Sequence, residues 1–302
     1  MFNKIAKPIK ISVASGKGGT GKTSLAVNMA VSIDAEISLI DCDVEAPNAS
    51  LFFRQSPMRR EFFETGDESF FDTLENFSVN IPQFDEALCD GCGICKSTCK
   101  FNAITLILGK PLFFPELCHS CEACFSICPR QAISSVKKNI GKIREKEISG
   151  RLTLTDGILN VSEAKSPPLI KHMIKNRSRR QITLIDAPPG TSCPVVAAAY
   201  DADYVILVTE PTPFGLSDLK LAIDTMRQLE RKFGIVINKY DGDFADIKEY
   251  CDKENIKIIG MVPFDMKIAQ IYSRGGIVAE EMPHMRELFS KIFENAISEA
   301  IK

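Results

Sequence analysis

The sequence has no apolar run approaching the roughly 18 residues that a membrane-spanning helix requires. Its first residues, MFNKIAKPIKISVAS, contain no signal-peptide core. Neither sign of charge is in surplus: 37 Lys and Arg stand against 39 Asp and Glu, a net charge of −2. These absences argue against membrane insertion and against nucleic acid or an anionic membrane held by bulk attraction. A cytoplasmic protein is expected. Compositional bias is absent too, with 45% apolar and 25% charged residues, which argues against a fibre or extended disorder. A chain of 302 residues suffices for one large α/β domain, or a medium one with a small companion.

Cysteine, by contrast, is abundant. There are 11, and eight of them lie between Cys89 and Cys128. Without a secretion signal a disulfide framework is disfavoured, and clustered thiolates more often hold metal. The eight form an internal repeat. Cys89-x2-Cys92-x2-Cys95-x3-Cys99 recurs 29 residues later as Cys118-x2-Cys121-x2-Cys124-x3-Cys128, and Ala103-Ile104 and Ala132-Ile133 follow at equal distances. This is the spacing of bacterial two-cluster ferredoxins, in which the fourth cysteine serves the other cluster. By that crossover one [4Fe-4S] cluster takes Cys89, Cys92, Cys95 and Cys128, and the second takes Cys118, Cys121, Cys124 and Cys99. Small residues at Gly91, Gly93, Ser120 and Ala123 allow backbone N–H groups to face the sulfides. The first copy ends Cys99-Lys100 where the second ends Cys128-Pro129, a departure that touches backbone and charge but not ligation. Two four-cysteine zinc sites are the rival reading, although zinc usually takes two separated C-x2-C pairs.

On either side of the repeat, strands alternate with helices. Lys10–Ala14 reads as a strand, Ser15–Gly21 as a loop, and Lys22–Ile33 as a helix with Leu25, Ala26, Met29, Ala30 and Ile33 on one side. Ile37–Ile40 is a second strand, ending at Asp41. The charged, Phe-rich stretch Gln55–Asn76 has no clear assignment. Beyond the repeat, Ile182–Ile185 runs as a strand into Asp186, and Tyr204–Thr209 is a strand of the kind buried on both faces. A helix is expected over Ser217–Phe233, strands over Ile235–Ile237 and Ile258–Val262, and a one-striped helix over Met285–Ile301. The alternation predicts an α/β fold, a mostly parallel sheet with helices on both faces. The repeat is then an insertion. Residues 1–83 and 139–302 form the two parts of the main domain, and 84–138 form an inserted α+β ferredoxin-like domain.

Gly16-Lys17-Gly18-Gly19-Thr20-Gly21-Lys22-Thr23 matches the phosphate-loop pattern G-x4-G-K-[ST], between a strand and a helix. Glycines let backbone N–H groups close around phosphates, and the helix N-terminus adds positive potential. Lys22 is expected to reach the β- and γ-phosphates and the Thr23 hydroxyl to bind Mg2+. Lys17 is a second lysine inside the loop. The run Lys17–Thr23 resembles the deviant Walker A motif of the MinD/ParA superfamily, to which the nitrogenase iron protein and Mrp-like ATPases belong. The resemblance implies that Lys17 reaches across a dimer interface, hence an ATP-dependent homodimer. Asp41-Cys42-Asp43-Val44-Glu45-Ala46-Pro47-Asn48 resembles that family's switch I, with Asp43 where the attacking water is oriented. Asp186-Ala187-Pro188-Pro189-Gly190-Thr191 resembles its Walker B and switch II segment, which implies that Asp186 binds Mg2+ through water. Read alone, Asn238-Lys239-Tyr240-Asp241 suggests guanine recognition. In the family an Asn at this place contacts adenine, and the segment around Pro263 closes the pocket. ATP is favoured, GTP stays open, and Asp241 also reads as a turn residue within Tyr240–Asp243.

Three further cysteines read as packing thiols: Cys42, Cys251 and Cys193. Cys193 lies seven residues after Asp186, an offset similar to that of a cluster-ligating cysteine in the nitrogenase iron protein. MinD binds membrane through a C-terminal amphipathic helix. Here Arg286, Lys291 and Lys302 are balanced by Glu287, Glu294 and Glu299, so a packing helix is expected. The basic run Lys171–Arg180 reads as a solvated face. Together the motifs point to an ATP-binding, ATP-hydrolysing iron–sulfur protein, with slow turnover unless a redox partner protein is present. It would couple nucleotide state to electron transfer. An iron–sulfur carrier or assembly ATPase, and a non-redox positioning ATPase with structural clusters, are the alternatives.

Overall fold

The computed structural model describes residues 7–54, 67–242 and 245–302. Most of the unassigned stretch Gln55–Asn76, and Asp243 of the predicted turn, lie outside these residues. In chain order the elements begin with β1 (Ile9–Ala14), α1 (Lys22–Ser32), β2 (Ile37–Asp41), α2 (Ala49–Arg54) and β3 (Thr73–Phe84). Next come α3 (Ile94–Thr98), β4 (Ile104–Ile107), β5 (Lys110–Phe113), α4 (Ala123–Ile127), β6 (Ile133–Ser149) and β7 (Leu152–Leu159). The remainder are α5 (Ser166–Arg177), β8 (Ile182–Asp186), α6 (Cys193–Ala199), β9 (Tyr204–Thr209), α7 (Pro213–Gln228), β10 (Phe233–Tyr240), α8 (Asp246–Lys253), β11 (Ile258–Pro263), α9 (Met266–Ser273), α10 (Val278–Glu281) and α11 (Pro283–Ile301). The chain divides into two compact units. One comprises Met1–Leu74, Ile143–Ile158 and Leu169–Lys302, the other Glu75–Lys142 and Leu159–Pro168.

The first unit is built on a mixed sheet whose strands run in the order β11-β10-β9-β1-β8-β2-β7, followed by the Ile143–Ser149 part of β6. From β11 to β7 the paired strands are parallel. β6 and β7 are joined by the tight turn at Gly150 and Arg151, which only antiparallel neighbours permit. The central strands are buried along their whole length, as a sheet covered on both faces requires. Alternate residues serve opposite faces. Ile11, Val13, Leu39, Leu184, Ile206 and Val208 join a core with Leu25 and Met29 of α1 and Phe289, Ile292, Phe293 and Ile297 of α11. This is the α/β arrangement the alternation predicts, and α11 buries Met285, Phe289, Ile292, Phe293, Ala296 and Ile297 of the stripe read from the sequence, while Ile301 at its end is exposed. No described helix is long and apolar enough to cross a membrane.

One boundary moves. The helix expected over Ser217–Phe233 runs instead over Pro213–Gln228. Thr212 caps it, its hydroxyl accepting from Gly215 N at 3.0 Å, and Pro213 occupies the first turn, where no amide donor is needed. Glu230, in the left-handed region at φ 54°, ends the helical path, and Phe233 already belongs to β10.

Besides residues 75–84 of β3 and 133–142 of β6, the second unit carries short elements: the five-residue helices α3 and α4 and the four-residue antiparallel pair β4–β5. Its buried apolar residues are Val79, Ala103, Ile104, Ala132 and Ile140. The Ala-Ile pairs that follow each cysteine run thus supply much of its interior.

Candidate functional site

In the first unit, the loop between β1 and α1 borders a cavity of about 480 Å3. Gly18, Gly19, Gly21, Lys22, Thr23, Asp43, Asn238 and Pro263 line it, so eight of the predicted nucleotide residues converge there. Gly21 has φ 89°, and an added Cβ would come within 2.3 Å of Asn238 Nδ2. Only glycine meets both demands. Asn238 in turn donates to Thr20 O at 2.7 Å, which ties the end of β10 to the loop. Gly16 lies behind the loop, where a Cβ would come within 2.2 Å of Asp218 O on α7. Thr20 is buried, and its Oγ1 has no partner among the described residues.

Beneath the cavity, strand register brings three aspartates into one row. Asp186 of β8 is level with Asp41 of β2, and Asp41 with Asp156 of β7. All three are at most 1% exposed, and each is satisfied differently. Arg144 clamps Asp156 with two hydrogen bonds, Nε to Oδ1 at 2.6 Å and Nη2 to Oδ2 at 3.0 Å. Asp41 accepts three backbone N–H groups, from Asp43 at 3.0 Å and from Asn48 and Ala49 at 2.9 Å each. Those bonds hold the loop that carries Asp43. Asp186 keeps a buried Oδ1 with no hydrogen-bond partner among the described residues. Burial pushes its carboxyl up to about 7, against the opposing pull of the Thr23 hydroxyl and Lys22. Burial also raises Asp43 and Asp41, and lowers Lys22 although Asp186, Asp43 and Asp41 oppose that shift. Asp186 does not line the cavity itself but lies behind Thr23 and Lys22, and a lining with Lys22, Thr23 and Asp43 backed by an orphan carboxylate oxygen is suited to a phosphorylated ligand and a divalent cation together.

Lys17 does not line the cavity. Its Nζ lies 3.6 Å from Glu210 Oε2, just beyond the end of β9. Asp241 is also absent from the lining, while Lys239, Phe264 and Asp265 are present.

In the second unit the repeat extends to the backbone. Gly91 and Ser120, Gly93 and Glu122, and Asn102 and Gln131 are equivalent pairs, and every one of these residues has positive φ. The residue matching Gly93 is therefore Glu122 (φ 63°), while Ala123 is the first residue of helix α4. The two copies cross. Asp85 N, ahead of the first, bonds to Ala132 O, behind the second, at 2.9 Å. Phe114 N, ahead of the second, bonds to Ala103 O, behind the first, at 2.8 Å. The eight thiols sort accordingly. One small apolar cavity is lined by Cys89, Cys92, Cys95 and Cys128, the other by Cys118, Cys121, Cys124 and Cys99. Backbone N–H groups point at two sulfurs, Ser120 N to Cys118 Sγ at 3.4 Å and Ala132 N to Cys128 Sγ at 3.3 Å. Among the described residues no three His, Cys, Asp or Glu side chains converge on a point where a single metal ion would sit. Burial pushes the Cys95 thiol up, and that of Cys124 up to about 11. Cys42 and Cys251 are buried, as packing thiols should be, whereas Cys193 is exposed at the start of α6.

Residues 11–278 match the family model described as the CobQ/CobB/MinD/ParA nucleotide binding domain. The chain belongs to that family. It is 33% identical over 269 residues to the uncharacterized protein MJ0579 of Methanocaldococcus jannaschii, covering 88% of this chain and 89% of that one. It is 21% identical to an iron-sulfur cluster carrier protein of Pyrococcus furiosus, over 88% of this chain and 77% of the relative. Among solved structures it is similar to the septum site-determining protein MinD of Pyrococcus horikoshii complexed with Mg-ADP. The TM-score is 0.56 at 17% identity, over 95% of this chain and 94% of that one, which establishes a common fold.

Within this member of the MinD/ParA family, sequence reasoning passed over Asp41 as a loop anchor, Asp156 with Arg144, and Glu210. A single rule would have found Asp41, Asp156 and Glu210: each is a carboxylate in or next to the C-terminal half of a buried parallel strand, where α/β sheets assemble their sites. Asp156 becomes legible only once Leu152–Leu159 is read as a strand.

Proposed function

We propose that this protein is an ATP-hydrolysing iron–sulfur protein in which nucleotide state governs electron transfer to a redox partner. Two [4Fe-4S] clusters would sit in an inserted ferredoxin-like domain covering 84–138. The observation that carries the reading is the sorting of eight cysteines into two cavities of four, with Cys128 and Cys99 exchanged between the copies. Three closely spaced thiols with a fourth from the other copy around each cavity suit a many-atom cluster better than a zinc ion, which usually takes two separated C-x2-C pairs. Each cluster, when bound, supplies a one-electron carrier.

On the nucleotide side, the amides of Gly18–Lys22 and the Lys22 ammonium would hold the phosphates, and Asp43 would orient the attacking water. Thr23 and Asp186 would hold Mg2+, which supplies charge neutralisation when bound. The orphan Oδ1 of Asp186 supports that role. ATP is favoured over GTP because Asp241, the carboxylate a guanine reading needs, does not line the cavity. Lys17 would reach a second copy's nucleotide in an ATP-dependent homodimer.

The test is anaerobic purification followed by iron and acid-labile sulfide analysis, with electron paramagnetic resonance of the reduced protein with and without Mg-ATP. Signals from two four-iron clusters that change on adding Mg-ATP are expected. Protein without iron or labile sulfide would leave only a nucleoside triphosphatase. The named Pyrococcus furiosus relative supports a second reading, cluster delivery. Transfer of iron and sulfide to an apo-acceptor would favour delivery, and retention would favour electron transfer.

A further inference from the structure

Glu210 follows the buried strand β9 and is shared by two ammonium groups. Its Oε2 lies 3.6 Å from Lys17 Nζ and its Oε1 2.5 Å from Lys239 Nζ. Lys239 also donates to Gly19 O at 3.4 Å. The backbone of Lys239 sits in the left-handed region at φ 55°, a conformation a non-glycine residue keeps only when its surroundings hold it there. Gly215 packs closely on the main chain of Glu210, where an added Cβ would come within 2.3 Å of Glu210 O. The side chain of Glu210 is 16% exposed and that of Lys17 32%. The carboxylate is thus anchored on one oxygen by Lys239 and offers the other to Lys17. It faces the one loop lysine that does not line the nucleotide cavity.

We propose that Glu210 is a positioning residue that holds Lys17 against its own subunit until ATP-driven pairing with a second copy releases it. The proposal rests on the ATP-dependent dimer proposed above. An ammonium held by a carboxylate in its own chain cannot at the same time bind a phosphate across an interface. Lys17 must exchange Glu210 for the second copy's triphosphate, a more highly charged acceptor in a less solvated setting. In a symmetric dimer two such pairs break. A partly exposed pair supports an effect of up to about fivefold, and two of them up to about 25-fold on the dimer dissociation constant. Lys239 keeps Glu210 from following Lys17.

The experiment is sedimentation of the full anaerobic chain with Mg2+ and a non-hydrolysable ATP analogue, for wild type, Glu210→Gln, Lys17→Ala and the double variant. The expected result is that Glu210→Gln dimerises about 3- to 25-fold more tightly, with a gain that shrinks in high salt. Lys17→Ala and the double variant should stay equally monomeric, so that the gain depends on Lys17. The circular dichroism and thermal midpoint of the Glu210→Gln monomer without nucleotide should match wild type, which shows that the variant is folded. If Lys17→Ala abolishes dimerisation while Glu210→Gln dimerises no more tightly than wild type, the restraint is overturned and the dimer stands. If all four dimerise alike, or none does, the dimer reading fails and takes the restraint with it.

Discussion

The two units solve opposite problems. In the first, the chemical groups are laid down by a finished fold: Asp41, Asp156 and Asp186 are fixed by strand register and sealed beneath helices. In the second, the chemical groups stand where a core would otherwise be. Cys92 and Cys121 are exposed, the other six repeat cysteines are only partly buried, and Leu88, Leu108, Leu112 and Leu117 face solvent. A unit with five-residue helices and few buried apolar side chains cannot offset its conformational entropy by apolar burial alone. In one half the fold builds the site, and in the other the proposed clusters would complete the fold.

The largest expected effect follows from that contrast. If the proposed clusters are bound, removing iron from the purified protein should cost the second unit its order and leave the first intact. Limited proteolysis read by mass spectrometry should find new cuts within 75–142, with analogue binding at the cavity retained. Equal protection of both units with and without iron would erase the distinction. Next in size is a change inside the sealed half. Arg144→Met leaves Asp156 buried without its bidentate partner, and stability should fall by about 3–5 kcal/mol. Burial already holds Asp156 above the ordinary carboxylate range despite Arg144. A raised carboxyl destabilises the fold as pH rises through the interval between its unfolded and folded values, so the Arg144→Met deficit should widen from pH 4 upward. Adding Asp156→Leu should recover most of the loss, and denaturant titration of the single and double variants checks both points. Lys22→Met comes third, expected to lower ATP turnover by about 10²–10³-fold while the cluster spectra stay unchanged. A spectral loss in that variant would mean that the two halves do not fold independently of each other's ligand.

How much could be read beforehand differs between the halves for the same reason. The phosphate loop, Asp43 and Asp186 were legible because they follow or end the strands β1, β2 and β8, which announce themselves as apolar runs. The crossing of the cysteine copies was legible because spacing alone encodes it. β3 and β6 were not. Lys137, Lys138, Lys142, Arg144, Lys146 and Glu147 give β6 the look of a solvated loop, and its apolar positions Ile140 and Ile143 break strict alternation. A long-range pair such as Glu210 with Lys17 leaves no local trace, since only the sheet order brings β1 and β9 together, whereas Arg144 and Asp156 meet across the β6–β7 hairpin and stay hidden because charge masks β6. The start of α7 was legible and overlooked: Thr212-Pro213 is a cap followed by a first-turn proline.

The smallest predicted effect sharpens the comparison within the cysteine half, where equivalent backbone positions carry different residues. Gly91 and Ser120 both adopt positive φ, 72° and 52°. At Gly91 the space is closed, because a Cβ would come within 2.5 Å of Gly109 O on the β4–β5 turn. At Ser120 a side chain fits, but its hydroxyl is buried with no partner among the described residues. Ser120 therefore combines a left-handed backbone with an unsatisfied polar atom, each costing on the order of 1 kcal/mol. Ser120→Gly should remove both, offset in part by the greater freedom glycine has in the unfolded chain, for a net gain of about 1 kcal/mol. Gly91→Ser should lose several times that amount through the clash. If cluster retention under mild denaturant rises in the first variant and falls in the second, the repeat is symmetric in backbone and asymmetric in tolerance. If Ser120→Gly instead loosens its cluster, the hydroxyl has a partner that only the bound cluster provides, and the second copy was fitted to the cluster side by side chain where the first was fitted by backbone.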